Sequence, residues 1–292
     1  MSRIGAFFMW LLHWLPLPLL ALIGRGLGHL LYWAVPERRR IVHTNLRLCF
    51  PHMSTAERNA LAHEHIALVG RSLLERSLVW WASEARLRRL LHIEGAGHIA
   101  HGGTRASDAP VILLAPHFVG LDLGGTRVTM DFDIVSIYAR QKNKVFDRLL
   151  YRGRSRFGDQ QLLSRQDGVR ATVKAVRENR PFYYLPDMDY GRRDAVFVPF
   201  FGVPAATITG LPRIAALTGA RVHACVTEML PGGQGYVTRI GPAWDNFPST
   251  DLEADTRRMN AFIEAEALRM PAQYYWVHKR FKTRPAGEKG FY

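Results

Sequence analysis

The chain has 292 residues, 48% hydrophobic and 22% charged, a balance that excludes a disordered or fibrous protein. Its length fits one α/β body with an N-terminal appendage rather than two domains of typical size. A formal net charge of +14 implies anionic company: nucleic acid, an anionic membrane, a phosphorylated substrate or an acidic protein. The two cysteines, Cys49 and Cys225, form no CxxC or zinc spacing, which argues against a disulfide framework or structural zinc.

The N-terminus comes first in chain order. Ile4 to Ile23 is a run of 20 residues without a formal charge, rich in Phe, Trp and Leu, and about 20 apolar residues cross a bilayer as helix. Pro16 and Pro18 interrupt it, so a kinked span or a hairpin within one leaflet is expected as readily as a straight crossing. A second apolar stretch, Gly26 to Val35, follows Arg25. Trp10, Trp14, Tyr32 and Trp33 suit the headgroup level, and Arg38, Arg39, Arg40 and Arg47 place the body in the cytoplasm by the positive-inside bias. The competing reading is a buried amphipathic helix of a soluble core.

Ser54 to Glu57 has the capping-box pattern and opens a predicted helix to about Ser83. Strands are predicted at Leu90 to Ile93, Val111 to Ala115, Ile134 to Ala139, Phe182 to Leu185, Val222 to Met229 and Tyr236 to Ile240. Helices are predicted at Gly120 to Met130, Val145 to Phe157, Gly168 to Glu178, Thr207 to Leu217 and Leu252 to Arg269. Val196 to Phe201 is a further apolar run, and His101 to Ala109 reads as a polar surface loop. Strands alternating with helices predict an α/β sandwich over a mixed sheet.

Three constellations could carry chemistry. The first is His117 with Asp122, directly after the strand that ends at Pro116. An imidazole can take a proton from a hydroxyl, and a carboxylate on its other nitrogen fixes the tautomer. Five residues suit such a pair only if His117 lies on the loop and Asp122 in the first turns of the helix. On spacing alone, a strand-end His beside an unrelated helix-surface Asp is the plainer reading. The second is Leu185 to Arg193, where Asp187 and Asp189 serve a site or merely shape a charged turn. Phe197, Phe200 and Phe201 follow, and they line an acyl channel or fill the core. The third is basic: Arg140, Arg152, Arg154, Arg156 and Arg165 hold phosphate or form a solvated helix face. His63-Glu64-His65 and the His98/His101 pair give weak metal candidates. There is no GxSxG, no Walker A loop and no cysteine with an activating neighbour.

Taken together, these segments resemble the late acyltransferases of lipid A biosynthesis, the lauroyl/myristoyl family. The motifs that carry the resemblance are the apolar N-terminus, the Arg-rich stretch to Asn45 and Phe50-Pro51, and the HxxxxD box His117 to Asp122. Gly153-Arg154-Ser155-Arg156, Pro186 to Gly191, Val196 to Phe201, Ala206 to Gly210 and, most specifically, Pro271 to Pro285 complete it. One departure is at Ala139, where some members carry Arg directly after the Tyr matching Tyr138; here Arg140 comes one position later.

The resemblance implies a glycerolipid-acyltransferase-like mixed sheet flanked by helices, with residues 1–35 as membrane anchor and 36–292 as the acyltransferase domain. It implies transfer of a fatty acyl group from acyl carrier protein to a hydroxyl of a phosphorylated lipid A precursor at the cytoplasmic face of the bacterial inner membrane. His117 is then the general base and Asp122 its orienting carboxylate. A thioester donor is already activated, so neither metal nor cofactor is required, and nucleic acid is not expected as a partner. The rivals are a lysophosphatidic acid or other glycerolipid acyltransferase and a non-catalytic membrane lipid-binding protein.

Overall fold

The computed structural model describes residues 2–100, 109–164 and 167–292. Among these residues, five helices come first: α1 (Arg3–Leu12), α2 (Leu17–Ala34), α3 (Pro36–Cys49), α4 (Thr55–Trp81) and α5 (Glu84–Leu90). Then come β1 (Leu91–Glu94), β2 (Val111–Leu114), α6 (Leu121–Thr129), β3 (Val135–Tyr138), α7 (Lys144–Arg154), β4 (Gln161–Ser164), α8 (Gly168–Arg177) and β5 (Phe182–Tyr184). The chain ends with β6 (Ala195–Phe200), β7 (Val203–Ile208), α9 (Gly210–Thr218), β8 (Arg221–Met229), β9 (Tyr236–Ala243) and α10 (Leu252–Arg269). The polar loop expected at His101 to Ala109 lies, but for Ala109, outside the described residues.

Seven strands form one sheet in the order β1-β9-β8-β2-β5-β3-β4. Neighbours are parallel except β8 and β9, which form an antiparallel pair, so the expected mixed sheet flanked by helices is what the chain builds. The central strand β2 reads Val-Ile-Leu-Leu and is buried throughout. A strand covered on both faces needs such an unbroken apolar run. β6 and β7 form a separate two-stranded hairpin. Its turn is Phe201-Gly202, both with positive φ (52° and 77°), the twist that two-residue hairpins require. The helix expected from Thr207 starts instead at Gly210, because Thr207 and Ile208 finish β7. Pro204 sits within β7 because a two-stranded hairpin has only edges, where proline is tolerated.

The apolar N-terminal run is two helices, not one. α1 ends at Leu12, the chain bends through His13 to Pro16, and α2 begins at Leu17. α2 is long and apolar enough to cross a membrane by length and composition, yet a third of it is buried against the body. The burial comes from a glycine seam. Ideal Cβ atoms would stand 2.5 Å from Arg71 Cα at Gly24, 2.4 Å from Ala67 Cα at Gly28 and 2.3 Å from Gly28 N at Gly70. α2 and α4 therefore touch backbone to backbone. Gly70→Ala should lower stability by about 3 kcal/mol, since neither helix backbone can yield without the other. Thermal unfolding in detergent reads this, and an unchanged melting temperature would mean that α2 does not pack on α4.

α1 has no buried residue, and Phe7, Phe8, Trp14, Leu22, Leu30 and Trp33 of the N-terminal segment stand exposed. The capping box at Ser54 and Glu57 is formed, with Ser54 N donating to the Glu57 carboxylate at 2.7 Å and Glu57 N to Ser54 Oγ at 3.2 Å.

The segment Pro271 to Pro285 clasps the body. Asn45 Nδ2 donates to the Trp276 and His278 carbonyls, each at 2.7 Å. The buried Arg280 donates to Ala206 O (2.9 Å) and Thr207 Oγ1 (2.8 Å), with its guanidinium 5.1 Å from the Phe200 ring centroid. Two histidines belong to this clasp: His65 Nδ1 donates to Ala272 O (2.9 Å), and His278 Nε2 accepts from Asp189 N (2.9 Å). Burial pushes His65 down to about 4; burial and the adjacent Arg280 do the same to His278. With folded values below the ordinary 6.5, the unfolded chain binds more protons between about pH 6.5 and 4, so stability falls as pH drops through that window. The slope is about 1.4 kcal/mol per pH unit for each group. Melting temperature against pH tests this. The fall should become shallower in His65→Asn, and a flat profile from pH 7 to 4.5 would contradict it.

Candidate active site

The site sits where two parallel strands end. β2 and β5 are paired in register, Leu114 opposite Tyr184. Each strand is followed by two residues, the second a proline, Pro116 or Pro186, and the third position holds His117 in one case and Asp187 in the other. Equal offsets from a paired register bring these two side chains together although they lie 70 positions apart. His117 Nδ1 and Asp187 Oδ1 are 2.6 Å apart, and the other carboxylate oxygen accepts the His117 backbone N–H at 2.9 Å. One carboxylate thus fixes both the backbone and the ring of His117. The clasp holds the same loop from behind, with Tyr275 N donating to His117 O (2.9 Å) and Val119 N donating to Gln273 O (2.8 Å).

Asp187 is fully buried. Burial alone would raise its carboxyl, but the His117 charge, the bonds from His117 ring and backbone, and the nearby Arg280 outweigh it and hold the group below the ordinary value. It is therefore a carboxylate, which makes Nδ1 the protonated ring nitrogen and leaves Nε2 as the acceptor. Nε2 has no hydrogen-bond partner among the described residues.

Asp122, expected to orient His117, does something else. Its carboxylate takes Arg76 Nε at 2.7 Å and Arg154 Nη2 at 3.0 Å. Burial would raise its carboxyl, but the two guanidiniums win and depress it strongly. The reason is geometric: Asp122 lies in the first turn of α6, facing α4 and α7, while Nδ1 is already taken by Asp187.

His117, Asp122 and Arg154 line one cavity of about 800 Å³. That is within the usual range for small-molecule sites, roughly 300–1,000 Å³. Its walls are mainly apolar, including Leu121, Ile134, Ile137, Leu150, Ile208 and Ile214. Val169 and Leu217, both more than half exposed, stand at its rim.

The other expected site residues are dispersed. Asp187 does not reach for substrate, since it is spent on His117. Asp189 is buried and accepts from Gly191 N and from the backbone and hydroxyl of Thr283 (2.9, 2.7 and 2.8 Å), tying the loop to the clasp. Arg156 donates to the Val79 and Ala82 carbonyls at 2.6 and 2.7 Å, satisfying the open C-terminal end of α4. Arg140 is exposed and off the cavity wall. Arg165 lies outside the described residues. The acyl-channel assignment to the phenylalanines also fails. Phe200 is fully buried against Tyr274 and Phe281, and Phe201 packs from the hairpin turn onto Phe50 and Trp276. Phe197 lies beneath the Arg192 guanidinium, and none of the three lines the cavity.

The family model described as bacterial lipid A biosynthesis acyltransferase matches residues 1–283. The chain belongs to this family. It is 35% identical over 288 residues to the lipid A biosynthesis lauroyltransferase of Escherichia coli K12, covering 98% of this chain and 93% of that one. It is 31% identical over 289 residues to the palmitoleoyltransferase of the same organism (99% and 93% covered) and 31% over 276 residues to its myristoyltransferase (93% and 82%). The protein is thus an acyltransferase of lipid A biosynthesis, as its motifs implied. Among solved structures, a 1-acyl-sn-glycerophosphate acyltransferase from Thermotoga maritima aligns over 87% of this chain and 96% of its own at 13% identity and a TM-score of 0.37.

Sequence reasoning missed Arg76 and the partnership of Asp187. Arg76 sits inside a helix of mixed pattern, 46 positions before its carboxylate. Asp187 did carry a signal, because Pro186-Asp187 repeats the strand-end pattern of Pro116-His117.

Proposed function

We propose that this acyltransferase moves a fatty acyl group from acyl carrier protein to a hydroxyl of a phosphorylated lipid A precursor, with His117 as general base. The observation that supports this best is the His117–Asp187 pair at 2.6 Å, with the free Nε2 on a ring that lines a large apolar cavity. The acceptor O–H gives its proton to Nε2 as its oxygen bonds to the thioester carbonyl carbon. Asp187 stabilises the imidazolium that forms. Collapse breaks the C–S bond, and the proton passes from the imidazolium to the departing thiolate. No acyl-enzyme is needed, so the absence of an activated nucleophile in the sequence fits.

Arg154 holds Asp122 through one nitrogen and has no other hydrogen-bond partner among the described residues, so its remaining N–H groups are assigned to substrate oxygen atoms. The acyl chain belongs in the aliphatic cavity. Residues 1–35 act as the anchor, α1 and the exposed face of α2 lying in the cytoplasmic leaflet of the inner membrane, which brings the site to its lipid acceptor.

Purified enzyme in detergent tests the reading. It should acylate a lipid A precursor from a carrier-protein thioester and leave lysophosphatidic acid unmodified. Acylation of lysophosphatidic acid instead would replace this reading with the glycerolipid one, and binding of lipid without turnover would reduce the protein to a lipid carrier.

A further inference from the structure

Five cations crowd the connection from β3 into α7: Arg140, Lys142, Lys144, Arg148 and Arg152, all exposed. None forms an ion pair with a described residue. Lys144, Arg148 and Arg152 recur every four positions and so share one helical face. The only acid of α7, Asp147, forms no ion pair with them, although the Arg140 charge reaches its carboxylate. Its carboxylate is turned back on the loop, where it accepts from Gln141 N at 2.6 Å and from the Tyr138 hydroxyl. The other side of the same segment is cavity wall: Ala139, Gln141, Leu150 and Arg154 line it. The cationic face is therefore the outer surface of the element that encloses the site.

An anionic membrane is the obvious rival occupant, and the distribution of apolar groups argues against it. A helix lying on a membrane combines cations on one face with large apolar groups on the other, exposed to lipid. Here the two are separated. Most of the exposed large apolar side chains lie on α1, α2 and the bend between them, with Val169, Leu217 and Leu268 elsewhere, and the guanidiniums of α1 and α2 are Arg3 and Arg25, the latter paired with Glu64 at 2.7 Å. On α7 the one large exposed apolar side chain is Tyr151.

We infer that the Arg140–Arg152 face docks an acidic carrier protein that delivers the acyl thioester into the cavity. This rests on the thioester donor proposed above. Contacts on an exposed rim act on encounter and on donor affinity, and they weaken as salt screens charges beyond about 10 Å at 0.1 M.

The test uses the full chain in detergent and the triple variant Lys144→Glu/Arg148→Glu/Arg152→Glu. The donor is a dodecanoyl thioester of an acyl carrier protein. The KM for this donor should rise at least about tenfold, and its salt dependence should flatten, while the KM for the lipid acceptor stays within about twofold. Cosedimentation with phosphatidylglycerol-containing vesicles should be retained, and far-UV circular dichroism shows that the variant is folded. The single variant Arg148→Glu, less exposed to folding failure, should move donor KM the same way by a smaller factor. An unchanged donor KM in a wild-type background that uses the carrier thioester overturns this inference alone. Loss of vesicle binding with donor KM intact assigns the face to the membrane and overturns it too. A wild-type enzyme that ignores the carrier thioester overturns both this inference and the proposed donor.

Discussion

Replacing His117 with Ala should lower acyl transfer by about 10²–10⁴-fold, the range that a positioned general base contributes. His117→Asn makes the cleaner experiment. Its amide N–H can take the place of Nδ1–H toward Asp187, so the buried carboxylate keeps both its donors, the side chain and the backbone N–H now at 2.6 and 2.9 Å. The acceptor nitrogen at Nε2 is gone in both variants. Single-turnover rates with carrier thioester and lipid acceptor, beside melting temperatures, separate chemistry from folding. A folded His117→Asn enzyme that turns over within about tenfold of wild type would end the case for His117 as base.

Asp187→Asn should come next, at up to about 10⁴-fold in rate with the site still assembled. An asparagine there can accept the His117 backbone N–H through its oxygen and turn its N–H toward Nδ1. The imidazole would then have to carry its proton on Nε2, the nitrogen meant to receive the acceptor's proton, and a wrong tautomer of this kind is costly in other hydrolytic and transfer sites. Asp122→Asn should behave differently. It leaves Arg76 and Arg154 sharing a neutral partner in a largely buried position, so its first effect is a loss of stability of about 3 kcal/mol. Measuring rate and melting temperature for both variants decides the roles. A dead Asp122→Asn enzyme of normal stability beside an active Asp187→Asn enzyme would return the orienting role to Asp122.

The elements that could be read from the sequence were those with local signals. Pro116 and Pro186 stop two apolar runs, Ser54 and Glu57 cap α4, and the apolar periodicity of Leu252 to Arg269 gives α10 to the residue. What escaped depends on contacts between distant segments. β4 is a four-residue edge strand, Gln-Leu-Leu-Ser, too short to show alternation. The glycines at 24, 28 and 70 look unremarkable until two helices are laid against each other. The HxxxxD box named the right histidine, but spacing along one chain favoured a local partner for it. The partner that occupies Nδ1 comes from the neighbouring strand, and only the strand order supplies that. Likewise, a run of arginines says nothing about direction: Arg152 faces solvent, Arg154 the cavity and Arg156 the end of α4.

The register between β2 and β5 has a dynamic consequence. The histidine and its carboxylate are hung from the most protected part of the molecule, so their alignment persists for as long as those strands stay hydrogen-bonded. Segments that bury little, such as the exposed residues 286–290, can open and reclose many times without disturbing the pair. Heat inactivation should therefore follow the slowest-exchanging amides, those of Ile112 to Leu114 and Tyr183 to Tyr184, and ignore early exchange at such exposed segments.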